Sequence, residues 1–156
     1  MDISHSGLTR RQFIGSSGMV AAATLAGAEV AHGDTATVEK ANEKLVLDMC
    51  KKIETVDVAQ LAPYLADDFV FQLIDGQPLI KGKDTFLQFV GQFFSPFERA
   101  EFIVHRSHAM GNLVINERTD NFFAKEGGTN QSFHVTGFCL VKDGKIQEWK
   151  DYGLPE

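Results

Sequence analysis

The sequence predicts an α+β domain in which a curved antiparallel sheet wraps around three N-terminal helices and leaves a cone-shaped pocket. Two patterns carry that expectation. After residue 34, apolar residues first recur at helical spacing; beyond about residue 100 they alternate with the period of two that marks strands, interrupted by glycine-containing turns. The length agrees: 156 residues, 44% of them hydrophobic and 23% charged, supply one core and are too few for two domains.

The helices come first. From Val38 to Thr55, Ala41, Leu45, Val46, Met49, Cys50 and Ile53 fall on one stripe with Lys and Glu opposite, the signature of an amphipathic helix. A short second helix is expected from Val58 to Leu65, with Asp57 as its N-cap and Ala66-Asp67-Asp68 ending it. Phe69 to Ile74 reads as a strand closed by Asp75-Gly76 and Pro78. Asp84 then caps a third helix running to Phe94, with a face of Phe86, Phe89, Val90, Phe93 and Phe94.

The remainder reads as an antiparallel meander. Glu101 to Ala109 and Leu113 to Ala124 join at Met110-Gly111-Asn112, and Gly127-Gly128 leads into Ser132 to Val141. Lys142-Asp143-Gly144-Lys145 makes the last hairpin before Ile146 to Tyr152. Residues 34–156 are thus one domain.

Residues 1–33 have a different character. Thr9-Arg10-Arg11-Gln12-Phe13-Ile14 resembles the twin-arginine export motif, and an Ala- and Gly-rich stretch to Ala28 follows, too short and too weakly apolar for a membrane span. Small residues at Ala26 and Ala28, or Ala31 and Gly33, offer cleavage sites. The expectation is a twin-arginine signal peptide, a mature domain in the periplasm or outside the cell, and no stable membrane span after processing. Cys50 and Cys139 could pair in an oxidising compartment, but with no metal-binding spacing they read first as two small buried residues.

Charge narrows the partners. A net charge of -6 with no long basic run argues against nucleic acid or an anionic membrane surface and leaves small molecules open. Thirteen Phe against one Trp and two Tyr bring apolar surface without a polar handle, which suits a Phe-rich core or a greasy cavity.

Period two places the polar groups. Val114, Asn116, Arg118, Asp120 and Phe122 share one strand face; Gln147, Trp149 and Asp151 share another; Phe133, Val135, Gly137, Cys139 and Val141 line the more apolar strand between them. Two carboxylates sharing one guanidinium can split into a protonated acid and an ionised base. An Arg-x-Asp alone reads as an ordinary strand salt bridge; Asp151, late in the last strand, could meet Arg118 and Asp120 in a pocket on neighbouring strands, and these three are the candidate catalytic set. The candidate substrate-lining residues are Ile53, Phe71, Leu73, Phe93, Phe97, Phe122, Phe133 and Val135. His105 and His108, three apart on a strand, are expected on opposite faces, so no metal site is assigned.

From Glu43 to Tyr152 the chain resembles the limonene epoxide hydrolase family, within the SnoaL-like group that shares the fold of nuclear transport factor two. The matching pieces are Glu43-Lys44-Leu45-Val46-Leu47, Glu117-Arg118-Thr119-Asp120, and Gly144-Lys145-Ile146 followed by Trp149-Lys150-Asp151-Tyr152. The resemblance implies a SnoaL-like or cystatin-like α+β barrel that needs no cofactor and is often a homodimer, acting on a small apolar molecule. It implies Asp151 as the base that takes a proton from water, Asp120 as the acid that protonates the opening epoxide, and Arg118 as their bridge. The family also holds its water with a Tyr and an Asn, whose places are taken here by Phe71 and Leu73, neither of which can hydrogen-bond through its side chain. Three expectations stay open: His134, Asn116 or Tyr64 holds the water; the substrate carries its own nucleophile, giving cyclisation or isomerisation; or the domain is a periplasmic module that binds an apolar ligand without turnover.

Overall fold

The computed structural model describes residues 32–153, with side chains from residue 35. The twin-arginine motif and the leader through residue 31 lie outside the described residues.

The chain opens with α1 (His32–Ile53), followed by two 3₁₀ turns, Val58–Gln60 and Ala62–Tyr64. Then come β1 (Leu65–Gln72), β2 (Ile80–Lys81) and α2 (Lys83–Phe94). Four long strands complete the domain: β3 (Phe97–Met110), β4 (Leu113–Ala124), β5 (Gln131–Lys142) and β6 (Lys145–Gly153). They form one six-stranded sheet in the order β2-β1-β6-β5-β4-β3. The α+β class and the helical segments against a curved sheet are as expected.

Several local expectations are corrected. Helix α1 begins six residues earlier than the apolar stripe because its first turns, Thr35-Ala36-Thr37-Val38, are exposed and so leave no periodic trace. The expected second helix is a pair of 3₁₀ turns: Pro63 has no N–H to continue an α-helix, although Asp57 does cap the first turn by accepting from the Ala59 N–H at 3.0 Å. Strand β1 begins at Leu65 and ends at Gln72, so Leu73 and Ile74 leave the sheet. The cap of α2 is Gly82, at φ 90°, and Asp84 lies in the first turn, where its charge favours the helix dipole. The sheet is also not wholly antiparallel, since β1 runs parallel to β6.

Both short turns behave as their sequences dictate. Asp143 and Gly144 take φ 51° and 70°, the paired left-handed conformation for which Asp-Gly is favoured, and Gly111 takes φ 60° in the β3–β4 turn.

Two bulges set the faces. One between Val104 and Arg106 shifts β3 against β4, and one at Leu140/Val141 shifts β5 against β6. The first brings His105 and His108 to the same outer face: His105 hydrogen-bonds to Thr119 at 2.9 Å, and His108 stands opposite the outer residue Ile115. The second places Ile146, rather than Gln147, on the buried face with Trp149 and Asp151.

Helix α1 packs on the inner face and is tied to the sheet at its middle and just past its end. Midway along it, Asn42 donates to the Gly111 carbonyl at 2.9 Å, and the Gly111 N–H donates to Glu39 at 2.8 Å. Beyond its end, Glu54 covers the free edge of β3: its carbonyl accepts from the Ala100 N–H at 3.2 Å and its carboxylate from the Phe102 N–H at 3.1 Å. Val46, Met49, Cys50 and Ile53 supply the helix's share of the core. Among the described residues, no helix is long and apolar enough to cross a membrane.

Because Glu54 satisfies an edge N–H beneath α1, Glu54→Ala is expected to destabilise the domain by about 1–3 kcal/mol. Urea unfolding measures this, and an unchanged midpoint would show that water serves the Phe102 N–H equally well.

Candidate active site

The site is built on three adjacent strands. Register places Asn116 of β4, Gly137 of β5 and Asp151 of β6 in one row across the sheet. Arg118 and Asp120 follow on β4, opposite Val135 and Phe133 of β5. Residues two apart on a strand face the same way, so all of these side chains stand on the inner face.

The guanidinium of Arg118, only 1% exposed, joins them. Its Nε donates to both oxygens of Asp120, at 2.9 and 3.1 Å. Its Nη2 donates to Asp151 Oδ1 at 2.8 Å, and its Nη1 to Asn116 Oδ1 at 2.8 Å. Trp149 adds an Nε1–H bond to the same Asp151 oxygen at 2.7 Å. The rings of Trp149 and Phe102 lie 5.0 and 5.5 Å from the Arg118 Cζ, within reach of its charge.

Glycine at 137 is what makes this possible. A Cβ there would stand 2.2 Å from Arg118 Nη1, 2.9 Å from Asn116 Oδ1 and 3.1 Å from Asp151 Oδ1. The guanidinium crosses β5 through the space that a side chain would fill.

Burial governs the titration. It pushes the Asp120 carboxyl up to about 6; the Arg118 charge pulls the other way and nearby Asp151 adds to the rise. Burial raises Asp151 as well, opposed by the charge of Arg118 and by the hydrogen bonds from Arg118 and Trp149. For Arg118 burial disfavours the charge, but Asp151 and Asp120 outweigh it and hold the group above the usual arginine range. With one cation for two carboxyls, a proton is retained more easily than at an exposed pair.

These groups face a cavity of about 110 Å³. Arg118, Asp120, Asp151 and Trp149 contribute its polar atoms, and its other lining side chains are apolar. Of the expected lining residues, Ile53, Phe71, Leu73, Phe93, Phe122, Phe133 and Val135 are there. Phe97 is not: it stands one layer behind, 3% exposed, its ring 5.5 Å from Phe93 and 5.3 Å from Phe122. Among the lining residues that sequence reasoning missed are Met49, Leu61, Ile74, Phe102 and, on α2, Phe86, Phe89 and Val90. The apolar stripe of α2 was the signal for the last three, though it cannot separate core from cavity wall.

None of the three candidate water-holding residues lines the cavity. Asn116 is buried behind Arg118, with its Oδ1 committed to the guanidinium and its Nδ2 without a partner. His134 is on the outer face, 3.3 Å from Glu117. Tyr64 lies in the second 3₁₀ turn. The two cysteines are free and buried, and burial pushes the Cys50 thiol up to about 12.

A family model described as the SnoaL-like domain matches residues 46–149, which include Asn116, Arg118, Asp120, Gly137 and Trp149 and stop two residues short of Asp151. The chain belongs to the SnoaL-like domain family. Among solved structures, it is similar to an M. tuberculosis LEH-like epoxide hydrolase, with 26% identity over 74% of this chain and 84% of that one, at a TM-score of 0.66. A cystatin-fold protein from Novosphingobium aromaticivorans matches at 15% identity, 70% and 96% coverage and a TM-score of 0.62. A protein from Jannaschia sp. CCS1, provisionally called a SnoaL-like polyketide cyclase, matches at 16% identity, 74% and 86% coverage and a TM-score of 0.60. At those two identities the likeness speaks for the SnoaL-like fold alone.

Gly137→Ala tests the crossing. The substitution is expected to displace the guanidinium and cost at least about 3 kcal/mol, the scale for breaking a buried charge pair. Chemical denaturation reads it; a loss under 1 kcal/mol, about the cost of an ordinary repacking, would mean that Arg118 has another route to its partners.

Proposed function

We propose that this SnoaL-like domain opens an epoxide on a small apolar molecule by general acid–base catalysis. One observation carries the reading: two buried carboxyls share the Arg118 guanidinium inside an otherwise apolar cavity, where burial pushes Asp120 up to about 6. The likeness to the LEH-like epoxide hydrolase supports it.

The roles follow from the hydrogen bonds. Asp151 Oδ1 accepts two N–H donors, which favour the ionised form, so Asp151 is the base. Asp120 accepts from Arg118 Nε alone and is the acid. Asp151 takes a proton from water as the water oxygen bonds to an epoxide carbon. The carbon–oxygen bond of the ring breaks, and its electron pair takes the proton of Asp120, giving a vicinal diol. Asp151 is then protonated and Asp120 ionised, and one proton passing back between them restores the start. Arg118 stabilises whichever carboxyl is charged.

A second reading rests on a specific observation. Phe71 and Leu73 line the cavity where a second and third water anchor would stand, and Asn116, His134 and Tyr64 do not. A substrate that brings its own hydroxyl needs no anchored water, and the same acid and base would then close a ring. The twin-arginine motif at Arg10-Arg11 supports placing this chemistry outside the cytoplasm.

An epoxide panel of terpene and styrene types, run in ¹⁸O-labelled water, tests both. Hydrolysis puts the label in a diol, whereas an unlabelled cyclic isomer favours the second reading. Asp120→Asn and Asp151→Asn are each expected to lower kcat by about 10²–10⁴-fold; turnover that survives both would overturn the acid–base assignment.

A further inference from the structure

The cavity has a closed end and an apolar mouth, and its size separates what it can enclose from what it must leave outside. At the closed end Arg118, Asp120 and Asp151 are 1%, 6% and 6% exposed. Leu73, Ile74 and Phe133, which line the same cavity, are 41%, 40% and 37% exposed and therefore form its rim. The cavity's volume of about 110 Å³ is smaller than the ~150 Å³ of an engineered apolar cavity that holds benzene. A molecule much beyond a six-membered ring is expected to extend through the open side between the rim residues.

Leu79, in the same connection between β1 and β2 as Leu73 and Ile74, is also 44% exposed. The connection is also braced. The Gln77 N–H donates to the Ile74 carbonyl at 3.0 Å, and Gln72 Nε2 donates to the Gln77 carbonyl at 2.9 Å. A braced apolar lip contacts a ligand without first having to be ordered.

Resting on the epoxide-opening reading, we propose that the domain takes its substrate end-on. The strained ring reaches the Arg118 site, and an apolar remainder too large for the cavity leaves between Leu73, Ile74 and Phe133. The substrate class is then an apolar epoxide with the ring at or near one end of a longer hydrocarbon skeleton. Polar groups on the enclosed part of that skeleton are disfavoured, because beyond Arg118, Asp120, Asp151 and Trp149 the lining side chains are apolar.

A homologous series of 1,2-epoxyalkanes from six to twelve carbons tests this. The protein has one tryptophan, Trp149, and it lines the cavity, so its fluorescence reports binding independently of turnover. Affinity is expected to keep rising past the length that the cavity encloses, by about twofold per methylene and at most about fourfold, the factor for about 0.8 kcal/mol per fully buried CH₂. Leu73→Ser with Ile74→Ser, and separately Phe133→Ser, are expected to flatten the upper part of the series. An affinity that levels off or falls beyond six or seven carbons in the parent protein would overturn the proposal. Length-dependent binding without turnover would support end-on docking while counting against epoxide opening, so the two can fail separately.

Discussion

Arg118 is a cation held almost wholly out of water, and much of the inner half of the domain is arranged around that fact. A guanidinium has three nitrogens, and each finds an acceptor: Nε on Asp120, Nη1 on Asn116 and Nη2 on Asp151. Breaking such a set leaves a charge buried and unpaired, whereas an apolar replacement of the whole set can be as stable or more so. The set is therefore poorly explained as a device for stability. Its third acceptor is Asn116, whose Oδ1 faces the guanidinium at 2.8 Å. A neutral amide there also keeps the count at two carboxyls to one cation, the imbalance that lets one carboxyl hold a proton.

The sheet supplies the geometry and the helices supply the dielectric. Three neighbouring strands bring Asn116, Gly137 and Asp151 into one row, and the missing side chain at Gly137 lets a group from β4 reach β6 across β5. Helices α1 and α2 then close the apolar side, with Phe86 and Phe89 packed on Phe71, and Phe93 packed on Phe122, in the cavity wall. Excluding water in this way raises the carboxyls and strengthens each hydrogen bond to them. It also explains the sparse polar lining: a pocket that must hold two shifted carboxyls has little use for further polar groups unless they touch substrate.

Much of this was legible in the sequence because period-two alternation is a local rule. Arg118 and Asp120 share a face whatever else the chain does, and Asp143-Gly144 announces its turn. What was hidden lies in the bulges. Counting back from the Gly111 turn without a bulge pairs Phe102 with Asn121 on the outer face; the shift between Val104 and Arg106 pairs it with Asp120, under Arg118. The bulge at Leu140/Val141 likewise sets Asp151 opposite Gly137, and no local signal in the sequence marked it. The 3₁₀ turns around Pro63 and the early end of β1 were missed for a related reason, since a few residues of either conformation leave no period to read. That early end is what frees Leu73 and Ile74 to form the rim.

The central claim is that burial and a shared guanidinium hold one carboxyl of this pair protonated near neutral pH. Carbon-13 NMR of the carboxyl groups, followed across pH and assigned with Asp120→Asn and Asp151→Asn, measures it directly and needs no substrate. Asp120 is expected to titrate at about 6, with Asp151 also above the usual carboxylate range. If both carboxyls titrate at or below about 4, the value for exposed aspartate, Arg118 is the centre of an ordinary structural salt bridge and the acid–base account fails.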